Sequence, residues 1–146
     1  MGFTEAVNSV LKQNYANFSG RASRSEYWYF TLFVILVAIP LVLLMMLGVN
    51  FQTSEIEAFG YIVMAVLGVF YLAMLIPTIA VGVRRLHDRD MSGWWYLGFI
   101  ALSFIPFVGS LAGIAQLVIF CLKGTDGDNR FGPDPLRPGA GADIFA

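Results

Sequence analysis

Residues 27–48 read YWYFTLFVILVAIPLVLLMMLG, a stretch without a single charge. About 20 helical residues cross the roughly 30 Å of hydrocarbon in a bilayer, so this one stretch decides the class of the chain. Working outward, charge is missing from all of residues 27–54, then from 58–83, and again from 91–122. Apolar residues make up 58% of the 146-residue chain and charged ones 13%, against about 25% in an ordinary soluble domain. A soluble fold of this size keeps too much of its surface wet to hide that load. The sequence therefore predicts an all-α integral membrane protein in a single domain. The first run is longer than the h-region of a secretory signal, about 7–15 residues, and no small-residue cleavage site follows it, so it reads as a permanent anchor. The single cysteine, Cys121, leaves no internal disulfide and no Cys-based metal cluster, and no cofactor is implied. A net charge of −1 argues against nucleic acid as a partner.

Residues 1–23 form the first polar segment. Phe3, Val7, Val10, Leu11 and Tyr15 recur at helical spacing, predicting a short amphipathic helix in the membrane interface or, alternatively, a tail docked on the other helices. Ser23 and Glu26 match the capping box S-x-x-E before an apolar run, and Tyr27, Trp28 and Tyr29 form an aromatic belt. Helix 1 is expected over 24–48. A second apolar helix is expected over 58–83, followed by a charged loop, Arg84–Asp90. Ser92 is a plausible N-cap for the third segment, 94–122, which opens on Trp94, Trp95 and Tyr96 and is broken at Pro106. As one helix it would measure about 43 Å, too long for an upright crossing and too short for two. It either crosses once, kinked, or dips in and returns as a re-entrant pair of half-helices. Residues 123–146, rich in Gly, Pro and Asp, read as irregular coil.

Orientation follows from the basic residues. Lys12, Arg21 and Arg24 precede helix 1, Arg84, Arg85 and Arg89 follow helix 2, and the loop between the helices has neither Lys nor Arg. The N-terminus and the Arg84–Asp90 loop are expected on the cytoplasmic side, and Lys123, Arg130 and Arg137 favour the same side for the C-terminus, hence the re-entrant form.

Polar chemistry inside the apolar runs is sparse: Thr31, Thr78, Ser103, Ser110 and Gln116. Ion-coupled transporters and pores usually carry ionisable groups there, so that function is disfavoured. Pro40, Pro77 and Pro106 allow kinks that shape a cavity or a moving part, although prolines are common in membrane helices. Gly109-x-x-x-Gly113 fits a close-packing motif toward another helix or a second copy. The Arg84–Asp90 cluster is the main candidate site. Guanidinium forks suit phosphate oxygens, and His87 beside Asp88 has the makings of an acid–base pair. The plainer reading is a solvated anchor whose mixed charges neutralise one another. With no second His or Cys, a zinc site built from these residues is excluded. Asp126, Asp128 and Asn129 do not complete a calcium loop, because Arg130 and Phe131 stand where a ligand and a glycine belong.

Three segments taken together, Phe18-x-Gly-Arg-x-x-Arg-x-Glu-Tyr-Trp, Arg84-Arg85-Leu86-His87-Asp88 with Ser92-Gly93-Trp94-Trp95, and Gly124-x-x-Gly127-x-Asn129-Arg130-Phe131-Gly132-Pro133-Asp134-Pro135, resemble the bacterial family of domain of unknown function 805. The resemblance covers nearly the whole chain and implies a small bacterial inner-membrane protein, a location and an architecture rather than a reaction. It also suggests that the three polar segments act together as an interfacial cap. On this reading Arg21, Arg24, Glu26, Arg84, Arg85, His87, Asp88, Arg89, Asn129 and Arg130 are the expected lipid- or partner-binding residues. The partners expected are membrane lipids, anionic ones in particular, and a second copy of the chain. The leading expectation is a non-enzymatic lipid- or protein-binding membrane protein. The alternatives are a small transporter or channel-like subunit, and a membrane enzyme acting on a lipid phosphate through His87 and Asp88.

Overall fold

The computed structural model describes residues 1–50, 53 and 55–137. Two long helices, α2 (Arg24–Leu47) and α3 (Ala58–Asp88), pack side by side and are both long and apolar enough to cross a membrane. Their sides are dominated by exposed large apolar residues, Leu72 at 72% and Val69 at 68% among them. Strands β1 (Val49–Asn50) and β2 (Glu55–Ile56) pair antiparallel to close the α2–α3 turn. There Gly48 meets Gly60 backbone to backbone, and a side chain at either would collide with the other helix.

α2 matches the expected helix 24–48, with Gly48 as its C-cap. The capping box is only half made. Ser23 Oγ accepts from the Glu26 backbone N–H at 3.2 Å, but the Glu26 carboxylate turns away to Arg84 and Ser9. Charge attraction from a buried guanidinium outweighs a neutral backbone donor.

α3 runs five residues past the expected end at 83, so Arg84 to Asp88 form its last turn rather than a loop. It stops in a Schellman motif: Asp90, in left-handed backbone at φ 57°, donates to His87 O, and Met91 donates to Leu86 O. Aspartate tolerates that conformation better than most residues, a signal weaker than the glycine usually found there.

The N-terminal segment is docked. α1 (Phe3–Asn8) continues as a π-helical turn (Ser9–Gln13) and packs on α2, burying Ala6, Ser9 and Val10. Phe3 meets Tyr29 edge-on at 6.1 Å, and the Tyr15 hydroxyl donates to Ala73 O at 2.6 Å.

The 94–122 segment is two antiparallel helices, α4 (Trp94–Ser103) and α5 (Val108–Cys121). Their 10 and 14 residues are about 15 and 21 Å long, each short of a bilayer core. The chain reverses because Pro106 has no N–H to continue α4, and Phe107 sits at φ 63° in a tight turn where the Val108 N–H reaches Pro106 O at 2.8 Å. Gly109 lets this turn close, since a Cβ there would lie 2.7 Å from Ser103 O, while Gly113 meets nothing and makes no close contact. Of the two glycines only Gly109 thus serves the reversal. Ser92 is not the N-cap of α4; Gly93 is, with Ser92 Oγ only 3.4 Å from the Trp94 N–H.

The core lies at one end of the molecule. Leu86, Tyr96, Phe99, Ala112 and Phe120 form one cluster, and Val10, Ala22, Phe30 and Val81 another. Phe120 stacks on Tyr96 at 6.4 Å and meets Tyr27 edge-on at 4.6 Å, which brings the end of α5 back beside the starts of α2 and α4. Gly82 gives Tyr96 its place, because a Cβ there would overlap the ring. Gly82→Leu is expected to push α4 off α3 and cost about 1–3 kcal/mol by overpacking, read as a lower unfolding temperature in detergent. An unchanged temperature would show that the α3–α4 contact is loose.

Candidate functional site

The end of α3 carries the chemistry. Its last carbonyls have no helical partners and need donors from elsewhere. The coil after α5 supplies them: Thr125 donates to Asp88 O through its N–H at 2.8 Å and its hydroxyl at 3.1 Å, and Asn129 Nδ2 donates to His87 O at 2.9 Å. The N-terminal segment adds the Ala22 N–H on Arg84 O at 3.0 Å.

Asp88 joins these pieces electrostatically. Its carboxylate, 5% exposed, accepts from Arg21 Nε at 3.0 Å and Nη2 at 2.9 Å, and also from Arg85 Nη1. Arg21 spends its other donors on carbonyls of the C-terminal coil, Gly127 O at 2.5 Å and Thr125 O at 2.6 Å. Arg85, wholly buried, turns back to α5, donating to Phe120 O at 3.2 Å and to Leu122 O. One carboxylate thereby holds both guanidinium groups, which cap the end of α5 and clamp the coil. Gly124 runs against this carboxylate so closely that any side chain would overlap it.

A second buried pair lies beside it. Arg84 Nη2 donates to Glu26 Oε1 at 2.9 Å, and Ser9 Oγ donates to the same oxygen at 2.9 Å, tying α3 to α2 and the N-terminal turn. The Nε atoms of Arg84 and Arg89 are buried without a partner among the described residues. Toward the surface, Arg89 donates to Lys123 O, while Arg130 pairs with Asp90 at 3.1 Å and lies over the Phe131 ring at 4.7 Å. Arg24 is exposed, its nearest acceptor being Cys121 O at 3.5 Å.

His87 and Asp88 are neighbours in sequence whose side chains diverge. His87 Nδ1 donates to Gly20 O at 3.1 Å and its ring stacks on Phe131 at 4.0 Å, whereas Asp88 faces the two arginines. The geometry gives no acid–base pair. Among the described residues no three His, Cys, Asp or Glu side chains converge as metal ligands do.

All ten residues singled out in the sequence lie in or beside this cap, but Arg21, Glu26, Arg84, Arg85 and Asp88 are turned inward and satisfy one another rather than the surroundings. Ser9 and the carbonyls at Gly20, Phe120 and Leu122 carry no signal in their residue types. Thr125 lies inside the third motif, but only the folded coil reveals its bond to Asp88.

The coil itself is tied by Asp134, whose carboxylate accepts from the Leu136 N–H at 2.9 Å and the Gly127 N–H at 3.3 Å. The Leu136 backbone donor above all, helped by Gly127, Arg21 and Arg137, holds this carboxyl below the usual carboxylate range. Its contribution is present above the ordinary aspartate value near 3.9 and is lost as pH falls through the lower folded value. The wild type is therefore expected to unfold at a higher temperature than Asp134→Asn above about pH 5, with the gap closing below about pH 4. A gap independent of pH would mean that the charge is idle.

The chain is similar to a family of proteins of unknown function and to named inner-membrane proteins. The family model described as a protein of unknown function (DUF805) matches residues 15–133, which include the first two charged motifs and the third as far as Pro133. The chain is 45% identical over 128 residues to "Inner membrane protein YhaI" of Escherichia coli (strain K12), covering 87% of this chain and 92% of that protein. It is 44% identical over 133 residues to "Inner membrane protein YhaH" of the same strain, covering 88% and 95%. "Uncharacterized protein YiiR" is more distant, at 28% over 143 residues. No solved structure matches. With a match spanning most of its length, the chain belongs to the family of domain of unknown function 805.

Proposed function

We propose that this is a multi-pass inner-membrane protein without catalytic activity, whose cytoplasmic cap binds anionic lipid headgroups. In this reading α2 and α3 cross the bilayer, α4 and α5 dip in and return, and both ends of the chain lie in the cytoplasm. One observation carries it: all nine Lys and Arg residues lie on the three segments that converge at one end of otherwise apolar helices. The opposite turn carries Glu55 and Glu57 but no positive charge, the asymmetry of the positive-inside rule. The names of the relatives support the inner membrane as the location.

The inward arginines are structural in this reading, and headgroup contact falls to the exposed cations Lys12, Arg24, Lys123, Arg130 and Arg137, of which Lys123 and Arg130 also pair with Asp126 and Asp90. Arg24 borders a groove of about 340 Å³ with Ser25, Trp28, Tyr29 and Cys121. A phosphate over that guanidinium, with its glycerol and upper chain along Trp28 and Tyr29, matches the usual place of interfacial aromatics.

Each basic residue near an anionic surface contributes about 1 kcal/mol. Arg24→Gln combined with Lys123→Gln is therefore expected to weaken phosphatidylglycerol retention about tenfold or more, measured by native mass spectrometry from a mixed phosphatidylglycerol and phosphatidylethanolamine preparation. Both positions are exposed, so folding is expected to survive. Undiminished retention would overturn the headgroup assignment, and a C-terminal reporter active only in the periplasm would overturn the topology.

A further inference from the structure

A cavity of about 570 Å³ opens between the ends of α3 and α4, on the far side of His87 from the Asp88 cluster. Phe18, Trp94 and Phe131 give it aromatic walls, and Ile79, Val83 and Leu97 an aliphatic floor. Each of the three charged motifs thus contributes: Phe18 from the first, His87 and Trp94 from the second, Phe131 from the third.

The imidazole is held in one orientation. Gly20 O can only accept, so His87 Nδ1 carries the proton of that 3.1 Å bond, and the neutral ring leaves Nε2 as an acceptor. Phe131 fixes the ring plane, lying parallel within 3°. The edge bearing Nε2 faces Gly93, where an added Cβ would stand 3.1 Å from that nitrogen. Glycine at that position leaves the edge open to the cavity. No donor reaches Nε2 among the described residues.

We propose that this cavity binds a planar aromatic alcohol, of the phenol, naphthol or hydroquinone class, whose hydroxyl donates to His87 Nε2. Beside the Ser92 hydroxyl, Nε2 is the side-chain acceptor of this lining, and a ligand that covers it must bring a donor, because an acceptor buried unpaired is costly. An acyl chain has no donor to offer, and an ionised phosphate would oppose lone pair to lone pair. Parallel and edge-on packing against Phe18, Trp94 and Phe131 suits a flat ring. This inference stands apart from the headgroup reading, since it uses other residues and requires no particular topology.

The test uses the full chain in detergent with 2-naphthol and its methyl ether, 2-methoxynaphthalene, titrated calorimetrically against empty micelles. The expected result is saturable naphthol binding, with the ether about tenfold weaker because it cannot donate. His87→Phe keeps a ring on Phe131 and is expected to bring the two ligands within about twofold of each other. Leu97→Trp, at a position 48% exposed, fills the cavity without disturbing the core and is expected to abolish binding of both. Equal affinity for the two ligands in wild type, or naphthol uptake no greater than by empty micelles, would overturn the proposal. So would naphthol binding unchanged by Leu97→Trp, a result that stands even if His87→Phe fails to fold. Co-purified phospholipid released by Leu97→Trp would assign the cavity to an acyl chain and overturn it as well.

Discussion

The carboxylate of Asp88 is the interaction on which the rest of the structure depends. It stands in the last turn of α3, where the negative end of the helix dipole disfavours an acid. Arg21 and Arg85 reverse that balance, and their remaining donors reach the C-terminal coil and the end of α5. Four parts of the chain are thus bound through one charged group. A buried ion pair adds little net stability against an apolar replacement, yet losing one partner is costly. Such a cluster therefore specifies which ends meet more than it adds to overall stability.

The same groups solve the hydrogen-bonding problem of short helices. α5 ends beside the buried face of α3, and its last carbonyls would go unsatisfied without Arg85. The end of α3 is satisfied by Thr125 and Asn129 of the coil and by the Ala22 N–H of the N-terminal segment. Each charged motif caps a helix that another motif ends. The match of the family model, residues 15–133, spans most of these contacts.

The apolar runs were legible because hydrocarbon thickness sets a length that composition reveals directly, and α2 begins where Ser23 signals it. The end of α3 is less legible, because a run of charge resembles the end of a membrane helix, whereas buried counter-charges let Arg84 to Asp88 remain helical. The convergence of the three motifs was anticipated from their resemblance to a family. The inward direction of Arg21, Arg84 and Arg85 was not, since a sequence shows which residues are charged but not which partners bury them. Ser9 and Gly20 illustrate the limit: one contributes a hydroxyl, the other a carbonyl, and neither type marks its own use.

The account is tested most directly by a double-mutant cycle between Arg21 and Asp88, which lie 67 residues apart. Unfolding free energies would be measured in detergent for Arg21→Met, Asp88→Leu and the pair. Asp88→Leu leaves two buried guanidinium groups without their counter-charge and is expected to cost about 3–5 kcal/mol. Arg21→Met, which leaves Asp88 still paired with Arg85, is expected to cost less. The double variant is expected to be less harmful than their sum by about 1–3 kcal/mol. Costs that add within about 0.5 kcal/mol would contradict the claim that this carboxylate ties the N-terminal segment to the end of α3.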